Sequence, residues 1–168
     1  MEEGDVPITV REARDRDAEQ LVALIESCWS EYPDIVVAVE LEAPEVLRIE
    51  SAFRRLGGKF WVMEQRERII GSVGVVPSAE PGGVELRKLY VAQDLRRRGL
   101  GAQLCGLVEG EAMVRTAGFI DLWSDTRFTD AHRLYERLGF VRSQKTRELK
   151  DLSNTIEIYF RKSLRARQ

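Results

Sequence analysis

The sequence predicts an α/β or α+β layered domain, and three observations support this fold class. Strand-like and helix-like segments alternate along the chain. The length of 168 residues is that of one domain. The hydrophobic fraction of 43% and the charged fraction of 32% are ordinary for a globular protein. We therefore expect a single domain over residues 1–168, without repeats or an internal linker.

The N-terminal part of the chain predicts one strand and two helices. Residues 6–12 alternate apolar and polar side chains, as a half-buried strand does. Asp15 or Asp17 is placed to cap a helix whose apolar stripe lies within residues 21–29. A second helix is expected from Pro44 to Gly57, because proline favours the first helical position and glycine the position after the end.

The middle of the chain predicts a β-hairpin followed by a third strand. Residues 59–65 and 68–76 flank a tight polar turn, which is typical of a hairpin. Residues 84–91 alternate again and predict a strand with two distinct faces. One predicted face carries Val84, Leu86, Lys88 and Tyr90, and the other carries Glu85, Arg87, Leu89 and Val91.

The last third of the chain predicts two helices and three strands. Apolar residues at helical spacing between Leu100 and Ala112 predict a long helix, and residues 119–124 a strand. Residues 129–138 form a shorter amphipathic helix closed by a glycine. Two final strands are expected, at 141–146 and 155–160.

Composition excludes several classes of protein. No run approaches the ~20 apolar residues of a membrane span, and the first ten residues lack the apolar core of a signal peptide. Two cysteines, Cys28 and Cys105, and one histidine, His132, do not suffice for a disulfide scaffold or a structural zinc site. We therefore expect no metal, no membrane partner and a cytoplasmic location, although a metal site made of carboxylates alone is not excluded by this count.

The segment RRRGLG, residues 96–101, carries the most chemical information. It joins the strand ending near Val91 to the long helix. The first turn of a helix has unpaired N–H groups and a partial positive charge, which together favour phosphate oxygens. Gly99 and Gly101 lack side chains, so the backbone can approach an anion closely. The pattern predicts a ligand that carries a phosphate or pyrophosphate.

Other interpretations of this segment remain open at this stage. A pattern this short arises by chance, and an arginine triplet is often a solvated surface. The glycine spacing matches neither the P-loop nor the dinucleotide-binding fingerprint. A nucleic-acid-binding protein could also use Arg96–Arg98, but the net charge of −2 argues against that class.

The chain resembles the GNAT superfamily of acyl-CoA-dependent N-acyltransferases over nearly its whole length. The stretch VELRKLYVAQDLRRRGLGAQL, residues 84–104, is similar to the strand and R/Q-x-x-G-x-G/A loop of that family. The stretch DAHRLYERLGF, residues 130–140, is similar to its later helix, which ends in a glycine and a phenylalanine. One departure is Phe128, where many members have an asparagine that contacts coenzyme A.

The resemblance implies a mixed, strongly twisted sheet of about seven strands, with helices on both faces and a splayed central strand pair. It also implies acetyl-CoA as co-substrate, held in the gap between those two strands. Leu89, Tyr90 and Val91 would contact the pantetheine arm through their backbone, and the Val91 N–H or a neighbour would polarise the oxyanion. The pyrophosphate would lie over a loop made of Arg96, Arg97, Arg98, Gly99, Leu100, Gly101 and Ala102.

Two side chains are candidates for acid–base work. Tyr135 is the expected general acid for the leaving thiolate, since the ordinary phenol pKa is near that of a thiol. Its position between Leu134 and Leu138 is equally that of a packing residue. Glu85 is the expected base, and the alternative is a structural or substrate-orienting carboxylate. His132 is expected at the surface, and Cys105 inside its helix.

The resemblance implies an N-acetyltransferase that transfers an acetyl group directly to a primary amine of a small molecule or a protein. The alternative is a non-catalytic acyl-CoA sensor. A homodimer is possible and a nucleic-acid partner is not expected. The segments 27–50 and 146–155 are expected to shape the acceptor site, and Glu40 and Glu42 suggest a cationic acceptor.

Overall fold

The computed structural model describes residues 6–164, and a seven-stranded mixed sheet runs through this range. The strand order is β1-β2-β3-β4-β5-β7-β6, and only the central pair β4–β5 is parallel. The predicted fold class is therefore confirmed. The expectation that the first ten residues are not a signal peptide lies in part outside the described residues. The strands are β1 (Thr9–Glu12), β2 (Lys59–Gln65), β3 (Arg68–Pro77), β4 (Gly83–Val91), β5 (Phe119–Asp125), β6 (Val141–Glu148) and β7 (Ile156–Ser163).

Helices cover both faces of the sheet. A Cβ added at Gly74 of β3 would meet Phe53, whereas one added at Gly71 would meet Leu104. Residues 71 and 74 point to opposite faces because side chains alternate along a strand. Phe53 and Leu104 belong to the third and fourth helices, which thus lie on opposite sides. The helices are α1 (Ala18–Trp29), α2 (Val39–Glu42), α3 (Ile49–Arg55), α4 (Leu100–Val114) and α5 (Thr129–Arg137).

The predicted single helix from Pro44 to Gly57 is wrong. Pro44–Arg48 forms a 3-10 turn, and α3 begins only at Ile49. Arg48 at the junction has φ −142° and ψ 53°, outside the helical region, which breaks the hydrogen-bond ladder between the two pieces. Both pieces still bury apolar side chains. The amphipathic pattern therefore indicated the buried side correctly, but it did not show that the backbone forms two separate elements. No helix within residues 6–164 combines the length and apolar character needed to cross a membrane.

The parallel pair β4–β5 separates soon after it starts. Its register covers only Gly83–Glu85 against Phe119–Asp121, after which the two strands diverge. The predicted splayed central pair is thereby confirmed. Beyond Glu85, the edge of β4 that faces β5 makes no further pairs with that strand, which leaves a gap in the middle of the sheet.

A β-bulge in β4 accompanies this separation. Ser72 pairs with Tyr90 and Gly74 pairs with Arg87, so one residue of β3 opposes two residues of β4. Lys88 takes a positive φ of 52°, and the buried Ser72 hydroxyl donates a hydrogen bond of 2.9 Å to its carbonyl oxygen. A bulge bends its strand and increases the local twist. The bend therefore lies in the part of β4 that no longer pairs with β5.

The bulge also overturns the predicted faces of β4. Paired residues in antiparallel strands point to the same side, so Tyr90 shares a face with Glu85 and Arg87. Val91, which pairs with Gly71, belongs instead to the face of Leu86. Strict alternation had assigned Tyr90 and Val91 the other way round. One extra residue shifts the two-residue period and exchanges the faces.

Candidate active site

The first turn of α4 presents unpaired backbone N–H groups. Gly99 precedes the helix in the left-handed conformation, with φ 77°. The Gln103 N–H donates to the Gly99 carbonyl at 3.1 Å, which is the first bond of the helix. The N–H groups of Leu100, Gly101 and Ala102 therefore have no helical acceptor, and the positive end of the helix dipole adds to them. These three N–H groups are the donors that the sequence analysis predicted for an anion at this junction.

A cleft of about 510 Å³ begins at this turn and runs along the end of β4. Such a volume is within the usual range of small-molecule sites. Nine of the ten predicted cofactor-binding residues line it, and Arg98 is the one that does not. The nine are Leu89, Tyr90, Val91, Arg96, Arg97, Gly99, Leu100, Gly101 and Ala102.

Two further groups of lining residues were not assigned to this site from the sequence. Cys28, Glu31 and Tyr32 come from the end of α1 and the turn after it. Arg133 and Arg137, one helical turn apart on α5, add positive charge to the opposite wall. No local signal marks the first group, because it lies about sixty residues before the loop that it faces.

The Arg96 side chain forms an ion pair within the protein. Its guanidinium donates two hydrogen bonds of 2.6 Å to the two carboxylate oxygens of Glu31. Its Nε also donates to the Val91 carbonyl at 3.3 Å. This bidentate pair raises the pKa of Arg96 and ties the loop to the end of α1. The side chain is thus engaged within the protein, and Arg97 and Arg137 are the more available cations of the cleft.

The Tyr90 hydroxyl contacts the end of α1. It accepts a hydrogen bond of 3.0 Å from the indole N–H of Trp29. Burial raises the pKa of Tyr90, and the charges of Asp125 and Glu157 raise it further.

Tyr135 is buried directly behind the cleft wall and is not itself a lining residue. Its ring packs against Phe140 and Phe160, with centroids 5.7 and 5.6 Å away. Its hydroxyl forms no hydrogen bond with any residue in the described range. Burial raises the pKa of Tyr135, with smaller contributions from Cys105 and Tyr90. The phenol therefore keeps its proton throughout the neutral range.

Glu85 lies at the closed end of the gap and outside the cleft lining. It is 8% exposed and forms an ion pair with Arg87 on the same strand. Its register partner on β5 is Asp121, a buried carboxylate that accepts hydrogen bonds from Ser78 and Tyr159. The two predicted acid–base residues are thus not adjacent, since Tyr135 and Glu85 lie on different elements on opposite sides of the strand pair.

His132 is buried, and the expectation of a surface histidine is wrong. Only 2% of the residue is exposed. Arginine can only donate, so the contact of 2.8 Å from Arg142 makes Nδ1 the acceptor. Nε2 then carries the hydrogen and donates to the Ser124 hydroxyl at 3.1 Å. Burial lowers the pKa of His132, and the charge of Arg142 lowers it further. The expectation for Cys105 is confirmed, because it is buried within α4 and burial raises its pKa to about 12.

A pH-dependent loss of stability follows from the lowered pKa of His132. The unfolded chain binds a proton near pH 6.5, whereas the folded chain binds it only at lower pH. We expect the free energy of unfolding to fall as the pH drops below about 6.5, and a His132→Gln variant to lack this component. Denaturant titrations at pH 7.5 and 5.5 measure it. NMR of the single imidazole should give a pKa below 6.5, and a value at or above 6.5 would contradict the buried network.

Comparison with known proteins agrees with this geometry. The model of the acetyltransferase (GNAT) domain family matches residues 56–142, just over half of the chain. The probable N-acetyltransferase camello of Xenopus tropicalis is 31% identical over 130 residues, covering 74% of this chain and 58% of that protein. Human N-acetyltransferase 8 is 28% identical, covering 68% of this chain and 51% of that protein. The chain thus spans between half and three fifths of these curated relatives.

Solved structures share the fold. A GNAT-family acetyltransferase from Staphylococcus aureus Mu50 superposes with a TM-score of 0.81 at 19% identity, covering 95% of this chain and all of that one. The PaiA N-acetyltransferase of Thermoplasma acidophilum, solved in complex with coenzyme A, gives a TM-score of 0.75 at 17% identity, covering 94% and 99%. At such identities the similarity concerns the fold alone.

The family match, together with the splayed sheet and the amide-lined cleft, defines the class of protein. The chain belongs to the GNAT acetyltransferase family. The resemblance inferred from residues 84–104 and 130–140 is therefore confirmed at the level of the family, which is a family of acyltransferase enzymes.

Proposed function

We propose that this domain is an N-acetyltransferase that transfers the acetyl group of acetyl-CoA directly to a primary amine. The single observation that carries the proposal is the cleft that joins the first turn of α4 to the gap between β4 and β5. It combines unpaired N–H donors at one end with an opening through the sheet at the other.

The residues of the cleft fit a diphosphate and an extended arm. A Cβ at Gly99 would meet nothing within 4 Å, so the space in front of the first turn is open. A Cβ at Gly101 would come within 2.8 Å of Leu134, so this glycine lets α4 and α5 approach each other. The N–H groups of residues 100–102 would donate to phosphate oxygens, with Arg97 and Arg137 adding charge. The β4 edge from Leu89 to Val91 would hold the arm as an added strand does.

The acid–base roles fall to the chain's own side chains. Acetyl-CoA supplies the thioester whose acetyl group is transferred. Tyr135 would provide the proton of its phenol to the departing thiolate, and burial, which raises its pKa, keeps that proton in place at neutral pH. Glu85 takes the proton of the incoming ammonium, directly or through water. The Val91 N–H would polarise the carbonyl oxygen of the thioester. Direct transfer needs no protein nucleophile.

The activity is tested by mixing the protein with acetyl-CoA and a panel of primary amines. Release of free thiol together with a mass gain of one acetyl group on the amine supports the proposal. Tight binding of acetyl-CoA without thiol release for any amine would instead favour a non-catalytic acyl-CoA sensor.

Glu85→Gln is expected to lower kcat/KM roughly 10²-fold at pH 7, as loss of a positioned base does. The deficit should shrink towards pH 9.5, where more of the acceptor is already a free amine. Steady-state rates across this pH range measure the effect. Glu80→Gln is the matched control, because Glu80 also pairs with an arginine but in an exposed position. Equal rates for Glu85→Gln and the parent at pH 7 would show that Glu85 is not the base and serves only in its ion pair with Arg87.

We also infer that the protein is cytoplasmic and that the chain forms a single domain. Both cysteines, Cys28 and Cys105, are buried free thiols, which supports a reducing, cytoplasmic setting. Within residues 6–164 one continuous sheet runs from edge strand β1 to edge strand β6, which supports one domain over the chain.

A further inference from the structure

An aromatic surface borders the gap on the side opposite α4. Trp123 of β5 and Tyr159 of β7 are register partners, and their ring centroids are 5.1 Å apart. Trp123 follows the last β4–β5 pair by two residues and points to the same face as Asp121 and Glu85. This pair of rings, called the aromatic shelf below, therefore starts where the two central strands diverge.

A bulge in β6 brings Lys145 onto the aromatic shelf. Arg142 pairs with Phe160 and Thr146 with Ile158, so three β6 residues oppose the single residue Tyr159. The Ser143 hydroxyl fixes this bulge, since it donates to the Tyr159 carbonyl and accepts from the Lys145 N–H, both at 3.0 Å. The Lys145 ammonium then lies 5.0 Å from the Tyr159 centroid and 5.5 Å from that of Trp123.

Five other cations near the aromatic shelf are neutralised within the protein. Each forms an ion pair with a carboxylate, whereas Lys145 forms none within residues 6–164. Its ammonium is held by the negative faces of two rings, which attract a cation without cancelling its charge. The neutralised pairs are Arg147–Glu157, Lys88–Glu45, Arg87–Glu85, Arg127–Asp125 and Arg161–Glu80.

The two segments expected to shape the acceptor site contact each other. The Val36 N–H donates to the Ser153 hydroxyl, and the Leu152 N–H donates to a Glu42 carboxylate oxygen, both at 2.8 Å. Segments 27–50 and 146–155 therefore touch each other. Glu42 is engaged in this contact, which removes one of the two residues that suggested a cationic acceptor.

We propose that Lys145 binds a carboxylate of the acceptor, so that the substrate is a small amine bearing a carboxylate, such as a free amino acid. The inference rests on the proposed acetyl transfer. Neighbouring strands lie about 4.8 Å apart. The Lys145 ammonium lies over rings of β5 and β7, which are the first two strands beyond the gap. A carboxylate on Lys145 and an amine in the gap are then roughly 5–10 Å apart, a distance within the length of an amino acid.

The test compares each amino acid with the amine left when its carboxylate is removed, for example phenylalanine with phenethylamine and leucine with isoamylamine. The parent protein should use the amino acid at least about 10-fold better in kcat/KM, as expected for a charge-assisted hydrogen bond. Lys145→Met should raise KM for the amino acids at least about 10-fold and leave the plain amines within twofold. Lys145→Arg should retain most of the preference.

The matched control is Lys59→Met, which removes the same charge from a lysine paired with Glu111 of α4, away from the gap. Binding of phenylalanine, measured by calorimetry on protein saturated with coenzyme A, gives a readout independent of turnover. Binding that Lys145→Met abolishes supports the inference even if no amine is acetylated, in which case the proposed activity alone fails. Equal use of both members of each pair, or faster acetylation of a peptide with a blocked carboxyl end, would overturn it.

Discussion

Gly99→Val is expected to weaken acetyl-CoA binding at least tenfold, which is the largest effect on binding that the structure predicts. Two causes act together. Gly99 has a φ of 77°, a conformation that costs a residue with a side chain roughly 1–2 kcal/mol. The new side chain would also occupy the open space in front of the unpaired N–H groups of residues 100–102. Isothermal titration calorimetry with acetyl-CoA and with free coenzyme A measures the loss.

Gly82→Val is the matched control for this substitution. Gly82 also has a positive φ, 93°, and a Cβ there would likewise meet nothing within 4 Å. It lies in the loop between β3 and β4 and outside the cleft lining. Both variants carry similar backbone strain, so a difference in affinity isolates the role of the first turn of α4. Equal affinities for acetyl-CoA in the two variants would contradict an anion site there.

Tyr135→Phe is expected to lower kcat by roughly 10²–10⁴-fold, the usual contribution of a positioned proton donor. Affinity for acetyl-CoA and the melting temperature should stay close to the parent values. The reason is that the hydroxyl makes no hydrogen bond with the described residues, while the ring keeps its packing on Phe140 and Phe160. Stopped-flow thiol release and thermal unfolding measure the two effects separately.

The pH profile gives a second check on Tyr135. Burial raises the pKa of its phenol, so the acid should stay protonated and kcat should not fall as the pH rises from 8 to 10. A kcat within threefold of the parent for Tyr135→Phe would reduce Tyr135 to a packing residue. A decline of kcat with an apparent pKa near 9 would instead point to a different, more exposed proton donor.

Much of the fold could be predicted because its signals are local. The hairpin of β2 and β3 was predicted to within one residue of its observed bounds, since alternation and a polar turn are read from adjacent residues. The stripe of α1 is buried as its spacing indicated. The helix expected from Pro44 to Gly57 failed at Arg48, because periodicity records which side is buried and does not record a change of backbone conformation.

The backbone part of the candidate site was also predictable from the sequence. Nine of the ten cofactor residues line one cleft because the loop at residues 96–102 and the end of β4 are consecutive in sequence. The arginine side chains were less predictable. The partner of Arg96 is Glu31, sixty-five residues earlier, and nothing near either residue in the sequence indicates the pair.

The sequence by itself determined the family, most of the elements and the glycine turn at the start of α4, since each is marked by residues that lie close together along the chain. Only the tertiary structure decided which face Tyr90 occupies, that His132 is buried, and that Lys145 lies over two aromatic rings. The face of Tyr90 and the place of Lys145 depend on strand register and a bulge. The burial of His132 depends in part on Phe160, a residue remote in sequence whose ring centroid lies 5.1 Å from that of the imidazole. Because a shift of one residue reverses the faces of a strand, such placements are fixed only when the strands are paired.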